Sequence, residues 1–216
     1  MRLQFRIMTY NDKQKQIIDT AEKLFAGKGY HGTSVRDIAE EAGVNIAMIS
    51  YYFGSKEKLM QALFQERTSH LELRVELLLQ NENLTPLEKV WTLVDEYVEK
   101  IVQRRQFYKI MVCEQMMDKN PVITGMINEA KKANADLIGR LIKDGQKKGA
   151  FKKNVDVVLM LNTMIGTVMQ TFINQAYYKN YHKLEELSQS EFHQLLQKKL
   201  TNHVKSLFKA ILSYEV

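Results

Sequence analysis

Two prolines in 216 residues, Pro86 and Pro121, constrain this chain more than any other feature. Proline interrupts helix interiors and sheet ladders alike, and folds made of many short strands need turn residues at short, regular intervals. Ten glycines supply the rest of the punctuation. So few breakers leave little room for the many turns of a sandwich or barrel and favour a mostly helical fold. Each proline also follows a capping residue. Thr85-Pro86-Leu87-Glu88 places the cap, a first-turn proline and a reciprocal glutamate in register. Asn120-Pro121 opens the next long helix, which Gly149 terminates, and Ser188-Gln189-Ser190-Glu191 opens the last.

The glycines are unevenly spread: Gly27, Gly29, Gly32, Gly43 and Gly54 all precede residue 55. Short elements joined by tight turns are expected there, and longer helices afterwards. Asn11 or Asp12 opens a segment whose Ile17, Ile18, Ala21, Leu24 and Phe25 share one side at helical spacing. Ser34, with Asp37 three residues on, caps a short helix that ends at Gly43, and Asn45 caps a second running to Tyr52. A long segment follows over 55–81. The expectation is an all-α fold of about nine helices: a three-helix domain over residues 10–58 and a larger helical domain over 59–216.

Charge and cysteine usage narrow the function classes. Net charge is +6, but residues 1–56 carry eight basic against six acidic side chains, whereas 131–153 carry eight against two. The basic excess therefore sits away from the N-terminal domain, and it reads as well as a solvated helix end as a nucleic-acid patch. The single cysteine, Cys113, excludes an internal disulfide framework and a multi-cysteine zinc site, and fits a reducing, cytoplasmic setting. Residues Met1 to Met8 are basic without the apolar core of a signal peptide, and Met1 and Met8 both stand as candidate starts. From Val157 to Tyr178 there are 22 residues without a charge. Thr163, Thr167, Gln170 and Asn174 form a polar stripe through them, opposite Val158, Leu161, Ile165, Val168 and Phe172. A lipid-facing helix has no use for such a stripe, so no membrane partner is expected.

The residues richest in chemistry run from Thr33 to Leu59. Val35, Ile38, Ala39, Val44 and Ile49 are spaced to face one another across Gly43, and the small Ala39 and Ala42 allow a close crossing. This is helix-turn-helix spacing, in which the second helix enters a DNA major groove; a packed helical corner shares it. Asn45, Ser50 and Tyr51 are suited to base edges or phosphates, and Ala47 to close approach. Thr33, Ser34 and Lys56 stand at helix N-termini, where a phosphate is held.

Asp37-Ile38-Ala39, Ala42-Gly43-Val44, Tyr51-Tyr52-Phe53 and Ser55-Lys56-Glu57, together with the first helix, closely resemble the TetR family of bacterial transcriptional regulators. The resemblance covers roughly residues 11–64 and keeps the spacing of several separated blocks. It implies a nine- or ten-helix dimer, joined through its last two helices, that binds a palindromic operator and is released by a small molecule in the C-terminal domain. Carried over by position, Thr33, Asn45, Ala47, Ser50, Tyr51, Tyr52 and Lys56 fall where the family contacts DNA. Ile46 stands where a lysine or arginine is common and Ser50 where an aromatic is frequent. Tyr52 fits packing and DNA contact equally.

For the dimer interface the expected residues are Val158, Ile165, Val168 and Phe172 with Leu196, Leu200, Leu207 and Phe208, the alternative being core within one chain. For the effector pocket they are Trp91, Phe107, Tyr108, Met111, Met117 and Met164, with Tyr97, Met116 and Met126 on the same middle helices, large and pliable side chains that serve more often as core than as pocket. Glu114, among them, is expected to face solvent. The five histidines have no metal-ligand spacing and pair with no carboxylate in a catalytic pattern, so no catalytic residue, metal or cofactor is expected. The run Gly27-Lys28-Gly29-Tyr30-His31-Gly32-Thr33-Ser34 imitates a phosphate loop but lacks its lysine and a preceding strand. The expected partners are an operator in double-stranded DNA, a second copy and a small-molecule effector. The rival reading is a helical ligand-binding protein whose N-terminal domain contacts protein.

Overall fold

The computed structural model describes residues 10–68 and 71–213; the basic start at Met1–Met8, and His70, lie outside them. The described residues form eleven α-helices and no strand. These are α1 (Asp12–Lys28), α2 (Val35–Glu41), α3 (Ile46–Phe53), α4 (Lys56–Thr68), α5 (Leu71–Gln80), α6 (Pro86–Gln103), α7 (Arg105–Met117), α8 (Pro121–Lys147), α9 (Val157–Ile173), α10 (Gln175–Tyr181) and α11 (Gln189–Leu212).

Four of them begin with a complete reciprocal cap. The pairs are Asn11 with Gln14, Ser34 with Asp37, Thr85 with Glu88 and Ser188 with Glu191. In each the cap side chain accepts from the third backbone N–H while the third side chain accepts from the cap's own N–H, so two otherwise orphaned donors are satisfied. Two of the interruptions between these helices divide segments expected to run on. Arg104 ends α6 with a non-helical backbone (φ −109°, ψ 33°), and Asn174 separates α9 from α10 at a bend of 75°. Neither break carries a glycine or proline. Asn174, whose side chain competes with the helix ladder for backbone partners, is the more legible of the two.

The described chain divides into two compact units. The first runs to Leu71 and takes in Gln106–Lys132; the second comprises Glu72–Arg105 and the chain from Ala133 onward. This departs from a boundary at 58/59, because α4 packs against α1 and buries Leu59, Met60, Ala62, Leu63 and Phe64. Phe64 in turn meets Phe107 of α7 edge-on, with ring centroids 4.9 Å apart. Each such fully buried apolar side chain contributes roughly 1.5–3 kcal/mol before entropy is counted. Arg67 clasps Glu22 at 2.8 Å and also bonds Asp19, fastening the end of α4 to α1.

In the second unit α11 lies against α6 and α9. Phe192, Leu196, Leu200, Val204, Phe208 and Leu212 recur every fourth residue and are all buried, as are Met160, Met164, Val168, Met169 and Phe172 of α9. Five of the eight residues assigned from sequence to the dimer interface, Val168, Phe172, Leu196, Leu200 and Phe208, are therefore used in the chain's own core. Ile165 and Leu207 are half-buried, and Val158 is exposed. An apolar stripe states that a helix side is covered, not by which chain. Leu159 and Ile173 of α9 and Tyr177 and Tyr181 of α10 are exposed, as Val158 is. Along the uncharged stretch Gln170 and Asn174 are exposed, while Thr163 and Thr167 are half-buried. Among the described residues no single helix is long and apolar enough to cross a membrane.

Candidate nucleic-acid interface and effector cavity

The first unit's short helices set the geometry of α3. Gly43, at φ +61°, makes the turn after α2, with the Val44 N–H donating to Ala39 O at 2.9 Å. Asn45 then caps α3, its side-chain oxygen accepting from the Ala47 N–H at 2.9 Å. α2 packs against α3, with Ile38 and Ala39 buried on the one and Ile49 and Phe53 on the other. That anchoring leaves Asn45, Ala47, Ser50 and Tyr51 together on the exposed side, Tyr51 at 84% exposure. Asn45 keeps its amide N–H donors for a ligand, since only its oxygen is engaged by the cap. Tyr52 is half-buried and braced edge-on between Tyr51 and Phe53, with centroids 5.3 and 6.3 Å away, so it divides between packing and exposure.

Three residues assigned to phosphate binding are engaged differently. Thr33 is 1% exposed, and its hydroxyl donates to Gly29 O at 2.8 Å and lies 3.3 Å from Leu24 O. The Ser34 hydroxyl donates to Asp37 at 2.6 Å; the bonds from Ser34 hold that carboxyl below the usual range, so a negative charge stands where a phosphate would approach. The Lys56 ammonium donates to the carbonyls of Tyr30 (2.9 Å) and Thr33 (2.8 Å) and rides 4.2 Å over the Tyr30 ring. Burial lowers the Lys56 pKa, and the Glu114 carboxylate opposes the shift. Glu114, expected at the surface, is 3% exposed on α7, and its Oε2 has no hydrogen-bond partner among the described residues. Arg36, which sequence reasoning passed over, is an exposed cation on α2. A basic residue on the outer side of the first helix of the pair was the available signal.

The second unit contains a small apolar cavity of about 20 Å³. Val90, Leu93, Val94 and Tyr97 of α6 line it, with Ile138 and Leu141 of α8, Met160, Leu161 and Met164 of α9, and Phe208 of α11. Of the residues expected to form a pocket, Met164 and Tyr97 line this one. Trp91 is half-buried beside the lining Val90. Phe107, Tyr108, Met111 and Met117 belong to the first unit: the two aromatics are buried there, Met111 is half-buried, and Met117 is exposed. Tyr97 Oη lies 3.5 Å from Asn134 Nδ2. One turn beyond Tyr97 on α6, Lys100 is half-buried, and desolvation together with the charge of Arg104 pushes its pKa down to about 8. Among the described residues no cluster of histidine, cysteine, aspartate and glutamate is arranged to hold a metal ion.

A capped helix pair around a glycine turn, with an uncharged polar side on its second helix, defines a helix-turn-helix protein. The family model "Bacterial regulatory proteins, tetR family" matches residues 17–63, and "Tetracyclin repressor-like, C-terminal domain" matches residues 86–198, more than half of the chain. The chain belongs to the TetR family and is a transcriptional regulator. It is 28% identical over 178 residues to the fatty acid metabolism regulator protein of Bacillus subtilis (strain 168), covering 82% of this chain and 91% of that one. Its fold matches the fatty acid degradation regulator FadR from Bacillus halodurans with a TM-score of 0.67 at 24% identity, over 92% of this chain and 97% of that one. It also matches FadR from Bacillus subtilis in complex with stearoyl-CoA, with a TM-score of 0.63 at 23% identity over 89% and 97% of the two chains.

Proposed function

We propose that this regulator is a repressor that grips a palindromic operator as a dimer through the exposed side of α3 and lets go when a small molecule enters the second unit. The observation that carries the reading is the joint exposure of Asn45, Ala47, Ser50 and Tyr51 over a buried Ile49 and Phe53. Base-edge contact falls to Asn45, Ser50 and Tyr51, with Ala47 allowing the approach and Tyr52 and Arg36 at the flanks. Thr33, Ser34 and Lys56 build the scaffold that aims them. The exposed Val158, Leu159, Ile173 and Tyr177 are the surface that a second copy covers. Such a dimer presents two copies of α3 to successive major grooves, about 34–36 Å apart.

The effector site is the cavity between α6, α8, α9 and α11. Its apolar lining selects an apolar body, and the named function of the Bacillus subtilis relative makes fatty acyl compounds the first class to screen. A ligand weakens operator binding only by its differential affinity for the DNA-bound and released arrangements. The operator being chromosomal, the protein works in the cytoplasm. Selection of random DNA fragments by the purified protein, followed by a salt series, tests the whole reading. An inverted repeat whose affinity falls as salt rises is the expected result; recovery of fragments without shared sequence overturns it.

A further inference from the structure

Among the described residues of α1 to α4 only two large apolar side chains are exposed, Ile46 at 40% and Tyr51 at 84%, and both stand on α3. Ile46 is the first residue of that helix, directly after its cap Asn45. It shares an exposed row with Ser50 one turn on, and Ala47 and Tyr51 make the adjoining row, while Ile49 and Phe53 hold the opposite side in the core. The helix carries no charged residue, so it has no arginine or lysine to fork onto guanine O6 and N7, the commonest specific base contact.

An isoleucine gains nothing from a phosphate or from a polar base edge, and leaving it in water forgoes the free energy of burying it. On the major-groove edges of the four bases the one apolar group is the C5-methyl of thymine. The N-terminal residues of a recognition helix are the ones that reach base edges, and a β-branched side chain has little rotamer freedom to lose on contact. We propose that Ile46 is a specificity-determining residue that packs on a thymine methyl group in each half-site, so that the operator carries a thymine opposite the start of α3. The inference rests on α3 being the helix that reads the operator.

The test starts from the inverted repeat selected from random DNA by the purified full chain. Each thymidine is replaced in turn by deoxyuridine, which pairs with adenine in the same way and lacks only the methyl group, and affinity is read by fluorescence anisotropy. At one thymine per half-site the wild type is expected to bind roughly fourfold less tightly for each methyl removed, about 15-fold less when both half-sites are changed. Ile46→Ala is expected to bind thymine and uracil equally at that position, and Ile46→Val to keep most of the preference, with thermal melts confirming that both variants fold. A half-site without thymine, thymines that are all replaced without loss, or a loss that is undiminished in Ile46→Ala overturns the proposal and leaves operator binding itself standing. Recovery of no shared sequence overturns the repressor reading and this proposal with it.

Discussion

Lys56→Met separates two roles that a lysine beside a DNA-reading helix can play. In the structure its ammonium closes the Tyr30–Thr33 segment onto α4, donating to two carbonyls at 2.9 and 2.8 Å and covering the Tyr30 ring at 4.2 Å. Tyr30 and Thr33 are 5% and 1% exposed, so solvent replaces these bonds poorly once they are lost. A bond from a charged donor contributes about 1.5–3 kcal/mol when shielded, and roughly 1 is kept for each here because Lys56 itself is only half-buried. With about 0.5 kcal/mol for the ring contact, the substitution costs about 2–3 kcal/mol. For a chain of this size the melting midpoint then falls by roughly 4–12 °C. The second measurement is operator affinity by fluorescence anisotropy over a salt series. The substitution is present in both copies of the dimer, so a lysine that grips one phosphate per half-site removes about two from the slope of log K against log salt, whereas a lysine that only braces the scaffold leaves the slope unchanged. The structure predicts a lower midpoint with the wild-type slope. A midpoint within about 1 °C of wild type together with a slope shallower by about two refutes the scaffold assignment and returns Lys56 to the phosphate contacts.

Tyr51→Ala is expected to weaken operator binding by about 1–3 kcal/mol, roughly 5- to 150-fold, with the melting midpoint unchanged because the ring is 84% exposed. Gly145→Ala puts a methyl carbon 2.2 Å from the ring of Phe151, which is 1% exposed, so overpacking is expected to destabilise the fold by at least about 1–3 kcal/mol in a denaturant titration. Lys100 has a folded pKa near 8 against an ordinary 10.5, so between those values the unfolded chain binds more protons and stability rises with pH. Melts of wild type and Lys100→Met across pH 7 to 10.5 are expected to show the variant more stable at pH 7 and the difference shrinking as pH rises; a difference independent of pH counts against a buried ammonium.

The helix-turn-helix was legible because its determinants are local. Gly43 and the caps Ser34 and Asn45 specify the turn and both helix starts within a dozen residues, and the inward set Ile38, Ala39 and Ile49 is buried as its spacing requires. What a side chain touches was less legible than which way it points. Thr33 and Lys56 stand at the expected positions but spend their polar groups on carbonyls brought close only by folding. The same limit applies to α9 and α11, where Val168 and Leu196 have the right period for an interface and are used within one chain. The pocket was the least legible feature. Phe107 and Met164 look alike in sequence, and only the division of the chain assigns one to the first unit and the other to the cavity.

The position of α11 bears on the order in which the protein is made. Its six buried side chains close the core against α6 and α9, and its Lys205 reaches Asp95, 110 residues earlier. Until α11 has emerged from the ribosome, α6 and α9 expose apolar surface that nothing else yet synthesised can cover. The first unit has no such wait, since its described residues end at Lys132. The reading head can therefore mature while the effector unit is still being translated, and a transcript cut short before α11 would yield a chain with a formed DNA-binding unit and an unclosed regulatory one.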